Sequence, residues 1–167
     1  MADIRLEKLA QVLVDYSVAV RKGDRVLISG STEAAPLLKE VYARVLQAGG
    51  YALLWPLLPG SEEIFYRYAS DDQLRHVPKP SELIVETYDV EITILAETNT
   101  RSLSNVDPGK IVTHQQARKG LMRTFMHRSA LKELRWTLAP FPPMPLPRMP
   151  IWACGSMRTL SLALAYL

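Results

Sequence analysis

Four short runs constrain this chain more than any other feature: RVLIS (Arg25 to Ser29), YALLW (Tyr51 to Trp55), VEITILA (Val90 to Ala96) and LRWTLAP (Leu134 to Pro140). Each is largely apolar, bounded by turn residues or charges, and too short for a stable helix, so each reads as a buried strand. Between the first two lies AAPLLKEVYARVLQA, whose apolar residues recur at helical spacing. Pro36 sits in its first turn, and Gly49-Gly50 supplies a left-handed stop. Strand, crossover helix and parallel strand make a βαβ unit, which is right-handed in nearly all folds. The rest repeats the alternation. Asp3 caps a first helix expected to run to about Arg21, and Lys22-Gly23-Asp24 makes the turn into the first strand. SEEIFYRYA and SDDQLRHV read as short helices, SELIVETY as helical or mixed, and Asp107 to Leu131 as helices. The fold class is therefore α/β, a largely parallel sheet with flanking helices in Rossmann-like layers.

Charge narrows the partners. The formal net charge is +3, but without Arg148 and Arg158 the chain has 18 basic against 17 acidic residues. A nucleic-acid footprint needs Lys and Arg gathered on one face, so no nucleic-acid partner is expected. The most basic stretch, ARKGLMRTFMHRSALKELR, spaces its apolar residues helically and reads as a solvated helix face. One cysteine, Cys154, allows neither an intrachain disulfide nor a thiolate metal cage. The N-terminus has no basic segment leading into an apolar core, and no uncharged run before the C-terminal tail nears the ~18 residues that span a membrane. A cytoplasmic protein without a membrane partner is the expectation.

Two loops are candidate sites. Gly30, Ser31 and Thr32 stand between a strand and a helix N-terminus, where free backbone N–H groups and the helix dipole can hold a phosphate or carboxylate. The stretch matches neither G-x-G-x-x-G nor the P-loop, and Glu33 would repel an anion. Capping by Ser31 or Thr32 is the competing reading. The loop after the third strand offers Glu97, Asn99 and Arg101 beyond a strand's carboxyl end, the usual ligand position in open α/β sheets. His76, His114 and His127 lack metal-ligand spacing, and His114 and His127 read as polar helix positions. No nucleophile elbow is present. From its residues alone the chain offers no catalytic group and no metal ligand.

Several blocks in order do carry a resemblance: MADIRLEKLAQVLVDYSVAVRKGDRVLI, AAPLLKEVYARVLQAGG, LPGSEEIFYRYASDDQL, AETNTRSLSNVDP and RTFMHRSALKELRWTLAPFP. Through about Phe141 the chain resembles the N-terminal domain of the thermophilic metallo-aminopeptidases, the aminopeptidase T and aminopeptidase S type. The resemblance implies a cytoplasmic enzyme that removes N-terminal residues from a peptide substrate. A pair of divalent metal ions would activate water and polarise the scissile carbonyl. It implies metal ligands (Glu, His and Asp) in a C-terminal catalytic domain that is missing here, and a homodimer for the full-length form. On this reading residues 1–142 are the N-terminal α/β domain of a truncated aminopeptidase, inactive alone. A stand-alone α/β module that binds a small anion, or one that docks on a separate catalytic chain, is the alternative.

Residues 143–167 depart from the pattern. Six of the twelve prolines fall between Pro140 and Pro150, and the last acidic residue is Glu133. Read from the third base of each codon, the genetic code forces alanine across Met144/Pro145, alanine across Met149/Pro150 and glycine across Trp152/Ala153. With permitted codons that frame reads ALAQDADMGLWEYEDFVFGACLL, which looks like the family's continuation. The expectation is out-of-frame translation from about Pro143. A genuine proline-rich linker is the alternative.

Overall fold

The computed structural model describes residues 3–96 and 106–141. Helix α1 (Ile4–Gln11) starts at Asp3, whose carboxylate accepts the Arg5 N–H at 2.9 Å. It continues as a π-helical segment, Val12–Ser17, that ends four residues short of the expected Arg21. The early stop has tertiary causes. Ala19 turns into the left-handed region (φ 46°), and Arg135, more than a hundred residues away, donates to the carbonyls of Val18 and Ala19 at 3.0 and 2.6 Å. No local pattern in the sequence announces that clamp.

The four expected strands form one parallel sheet in the order β2-β1-β3-β4. They are β1 (Arg25–Ser31), β2 (Tyr51–Leu57), β3 (Val90–Leu95) and β4 (Arg135–Pro140). Central β1 and β3 are buried almost throughout, as strands covered by helices on both faces must be. A 3-10 turn (Thr32–Ala34) leads into α2 (Ala35–Gln47). That helix closes with a Schellman motif: the Gly50 N–H reaches the Val45 carbonyl and the Gly49 N–H that of Leu46, both at 3.0 Å, with Gly49 at φ 82°. The chain then crosses to β2, so the βαβ unit stands as expected.

The remaining helices are α3 (Ser61–Tyr68), α4 (Asp71–Arg75), α5 (Lys79–Thr87), α6 (Pro108–Ala117) and α7 (Lys119–Ala130). SELIVETY, read as helical or mixed, is helix α5, begun two residues early with Pro80 in its first turn. Strand side chains alternate between faces, and the core divides accordingly. On one face Val26, Ile28, Val90, Ile92 and Ile94 pack against α1 and α2. On the other, Leu27 packs with Ile84 and Val85 of α5, Leu121 and Phe125 of α7, and Leu134. Each such side chain taken fully from water contributes roughly 1.5–3 kcal/mol before chain entropy opposes it. The Arg25 backbone N–H and guanidinium bind Asp89 at 2.8 to 3.3 Å, fixing the start of β3 against that of β1. Burial alone would raise the Asp89 pKa, but these contacts hold it below the usual carboxylate range.

Candidate functional site

Because all four strands are parallel, their carboxyl ends share one edge of the sheet. Gly30 stands there, and a Cβ at this position would lie 2.6 Å from the Ile94 carbonyl oxygen. The glycine is therefore required by the close approach of β1 to its neighbour β3. Ser31 is the N-cap of the 3-10 turn, and its hydroxyl accepts the Glu33 N–H at 3.2 Å. Thr32 opens that turn, half-buried. The three residues sit together where the sequence places them, and the Ser31 hydroxyl is engaged in capping. Glu97, Asn99 and Arg101 lie outside the described residues, as do Cys154 and residues 142–167.

Between the strands stand helices that the crossover connections alone do not need. Helices α3 and α4 follow β2 before α5 descends toward β3, and α6 follows β3 before α7 descends toward β4. Where α3 meets α6, the Tyr66 hydroxyl lies 2.9 Å from His114 Nδ1, in a buried contact. Phe65 packs against the imidazole with ring centroids 5.0 Å apart. His114 is thus on a helix, as expected, but it is only 4% exposed, against the reading of a polar helix position. The reason is tertiary: Tyr66 comes from a helix 48 residues earlier. His76, by contrast, is exposed at the end of α4, and His127 is exposed on α7.

The electrostatics of this pair follow from burial. It lowers the His114 pKa to about 4, helped by the Arg118 charge, and raises the Tyr66 pKa to about 12, helped by Glu62. The phenol and Nδ1 share one hydrogen bond, whose donor depends on the imidazole tautomer. His114 Nε2 is buried and has no hydrogen-bond partner among the described residues. Near neutral pH the imidazole is uncharged and the phenol keeps its proton. Such a pair fixes helices in place and is a poor proton shuttle.

A second polar group lies deeper in the sheet, on the face covered by α5 and α7. Glu91, the second residue of β3, is 4% exposed. Its carboxyl accepts from the Thr93 hydroxyl at 3.2 Å, which is in turn 3.0 Å from that of Ser29. Burial pushes the Glu91 pKa up to about 7, against a smaller opposing effect of the Thr93 hydrogen bond. The reading of VEITILA as one buried strand passed over this residue. An acid inside an apolar run was the available signal, because an ionised carboxylate is rarely buried unpaired. No comparable signal marks Tyr66 or His114.

Among the described residues, no three His, Cys, Asp or Glu side chains converge as a metal ion would require. The divalent metals implied by the resemblance find no fitting donor set in this part of the chain, so no hydrolytic step is assigned to its residues. Also among the described residues, no helix is long and apolar enough to cross a membrane.

Comparison with solved structures finds a similarity to wild-type AmpT from Thermus thermophilus, with a TM-score of 0.66 at 16% sequence identity. The match covers 83% of this chain and 36% of that one, so the chain spans little more than a third of the AmpT chain. An identity this low shows a shared fold. No curated protein matches the chain. The family model of the thermophilic metalloproteases (M29), however, matches residues 2–148, nearly all of the chain. On that match the chain belongs to the thermophilic metalloprotease (M29) family.

Proposed function

We propose that residues 1–142 are the N-terminal α/β domain of a metal-dependent aminopeptidase that releases N-terminal amino acids from peptides, and that the 167-residue chain is inactive by itself. The observation that carries this reading is the family match over residues 2–148. The share of AmpT covered, 36%, and the lack of a metal-binding cluster among the described residues support it. In the complete enzyme, two divalent metal ions held by a separate catalytic domain would supply the activated water. This domain would pack against the catalytic one and help enclose the peptide. That enzyme is read as a cytoplasmic homodimer.

Exposed apolar side chains support a surface that another part of the protein, or a separately encoded chain, covers. Leu58, Ile64 and Tyr68 are 68%, 59% and 75% exposed where the chain leaves β2 and forms α3. The segment from about Pro143 onward is read as out-of-frame translation. Sequencing the DNA from the Trp136 codon past the stop tests this, since the shifted frame should stay open and encode Glu, His and Asp ligands. For activity, the purified chain is incubated with leucyl-peptide substrates and zinc, cobalt or manganese. No amino acid should be released. Release that depends on metal and stops with chelator would overturn the inactivity.

A further inference from the structure

The two apolar clusters on the faces of the sheet share one property: neither includes a residue from α3, α4 or α6. The fully or nearly buried side chains of these three helices, Tyr66, Leu74 and His114, belong to neither cluster. Helices α4 and α6 pack on each other. Tyr66 meets His114 at 2.9 Å, and Phe65 packs on the same imidazole. Lys110 of α6 donates to the carbonyls of Tyr66 and Ala69, at 2.8 and 3.3 Å, satisfying the last carbonyls of α3. Among the described residues, the connections to the sheet are short. Pro59-Gly60, with Gly60 at φ 79°, enters α3. His76 and Pro78, both extended, lead from α4 to α5. Arg118 alone joins α6 to α7.

Stability within a protein is not uniform. Segments open in cooperative units, and a unit's opening free energy reflects the buried contacts it shares with the rest. We propose that α3, α4 and α6 form a separate cooperative unit, which opens as one body while the sheet and helices α1, α2, α5 and α7 stay folded. The unit follows directly from the carboxyl end of β2, so its opening changes access to that edge of the sheet. The Tyr66–His114 contact is its internal fastener. This inference concerns the fold alone and holds whether or not the proposed activity does.

Native-state hydrogen exchange on the full 167-residue chain tests it, in the wild type and two variants. In the wild type, amides of Ser61–Tyr68, Asp71–Arg75 and Pro108–Ala117 should share one protection level, at least tenfold below that of β1 and β3. Tyr66→Phe removes a hydrogen bond while keeping the ring, and should lower protection of all three helices together by about 5- to 10-fold. Protection of β1 and β3, which exchange only when the whole chain unfolds, should fall by the same factor, because the unfolded chain lacks this contact as well. Ile92→Val, in the buried centre of β3, should lower the strands by a similar factor and leave the three helices as they were. Strand-level protection of the three helices, a Tyr66→Phe effect confined to one of them, or an Ile92→Val effect that spreads to the helices would each overturn the proposal.

Discussion

Glu91 and His114 are buried ionisable residues whose shifts have opposite consequences for stability. The folded chain holds the Glu91 proton to about pH 7, whereas the ordinary value is 4.5. The stability tied to that proton is full below pH 4.5 and is lost as pH rises toward 7. His114 works in reverse. Its folded pKa is about 4 against an ordinary 6.5, so it binds a proton more readily when unfolded. Its contribution is full above pH 6.5 and is lost as pH falls toward 4. Each shift corresponds to about 3 kcal/mol at the limit, and across pH 4.5 to 6.5 the two slopes oppose each other. Asp89 titrates below that window, since its pKa is held under 3.8. Urea unfolding of the wild type should therefore show a nearly flat stability between pH 4.5 and 6.5. Glu91→Gln, which mimics the protonated carboxyl, should make stability rise with pH across the window. His114→Asn, which keeps a polar atom near Nδ1, should make it fall. Parallel profiles for the wild type and both variants would show that neither group is buried as the fold indicates.

At the scale of elements, β4 does more than extend the sheet. Its first residue, Arg135, donates to the Val18 and Ala19 carbonyls and binds Asp24 Oδ2 at 2.6 Å, which itself accepts the Arg21 N–H at 2.6 Å. Strand β4 thereby holds the connection from the first helix to β1. The Arg135 and Asp24 side chains are 23% and 14% exposed, so water replaces these contacts poorly. Arg135→Ala should cost about 2–4 kcal/mol by leaving Asp24 and two carbonyls short of donors. Lys should restore only part of this, since an ammonium lacks the planar fork. The control is Arg75→Ala, whose exposed pair with Asp71 spans 3.7 Å and should cost well under 1 kcal/mol. Equal losses in chemical denaturation would mean the clamp contributes no more than a surface pair. The same comparison shows what the sequence makes legible. RVLIS and VEITILA are legible as strands because burial on both faces writes a continuous apolar run, whereas YALLW and LRWTLAP, at the edges of the sheet, keep short apolar runs though they are only partly buried. Gly49 ends α2 because only a left-handed cap lets the chain turn back. The end of the first helix is not legible, because Arg135 decides it from across the fold. Nor is the Tyr66–His114 contact, which joins helices on two different crossovers. Glu91 lies between these cases: its oddity is written in VEITILA, but its meaning depends on which atoms surround it.

At the scale of the whole molecule, the apolar side chains left in water decide how the chain behaves in solution. A shallow groove of about 410 Å³ is lined by Ile64, Phe65, Tyr68, Ala69, Gln73 and His76. At the sheet edge, Tyr42, Leu46 and Leu54 are 36%, 49% and 39% exposed beside β2. Edge strands invite pairing, and this one has a partial defence. The Tyr51 N–H points inward to the Asp24 carbonyl, so the alternate residues Ala52, Leu54 and Pro56 face outward, and Pro56 has no N–H to offer. Backbone pairing along β2 is thus limited to two outward amides, whereas nothing comparable blunts the α3 and α4 groove. Self-association should accordingly proceed through side chains of the groove. Sedimentation of the purified chain should show a weight-average mass that rises with concentration. Replacing both Ile64 and Tyr68 with Gln should weaken that association about tenfold or more, since each removes most of an exposed apolar side chain. Leu54→Gln should have a smaller effect. A chain that stays monomeric to high concentration would show that these surfaces are tolerated in water, and the support they lend to a covering partner would go with it.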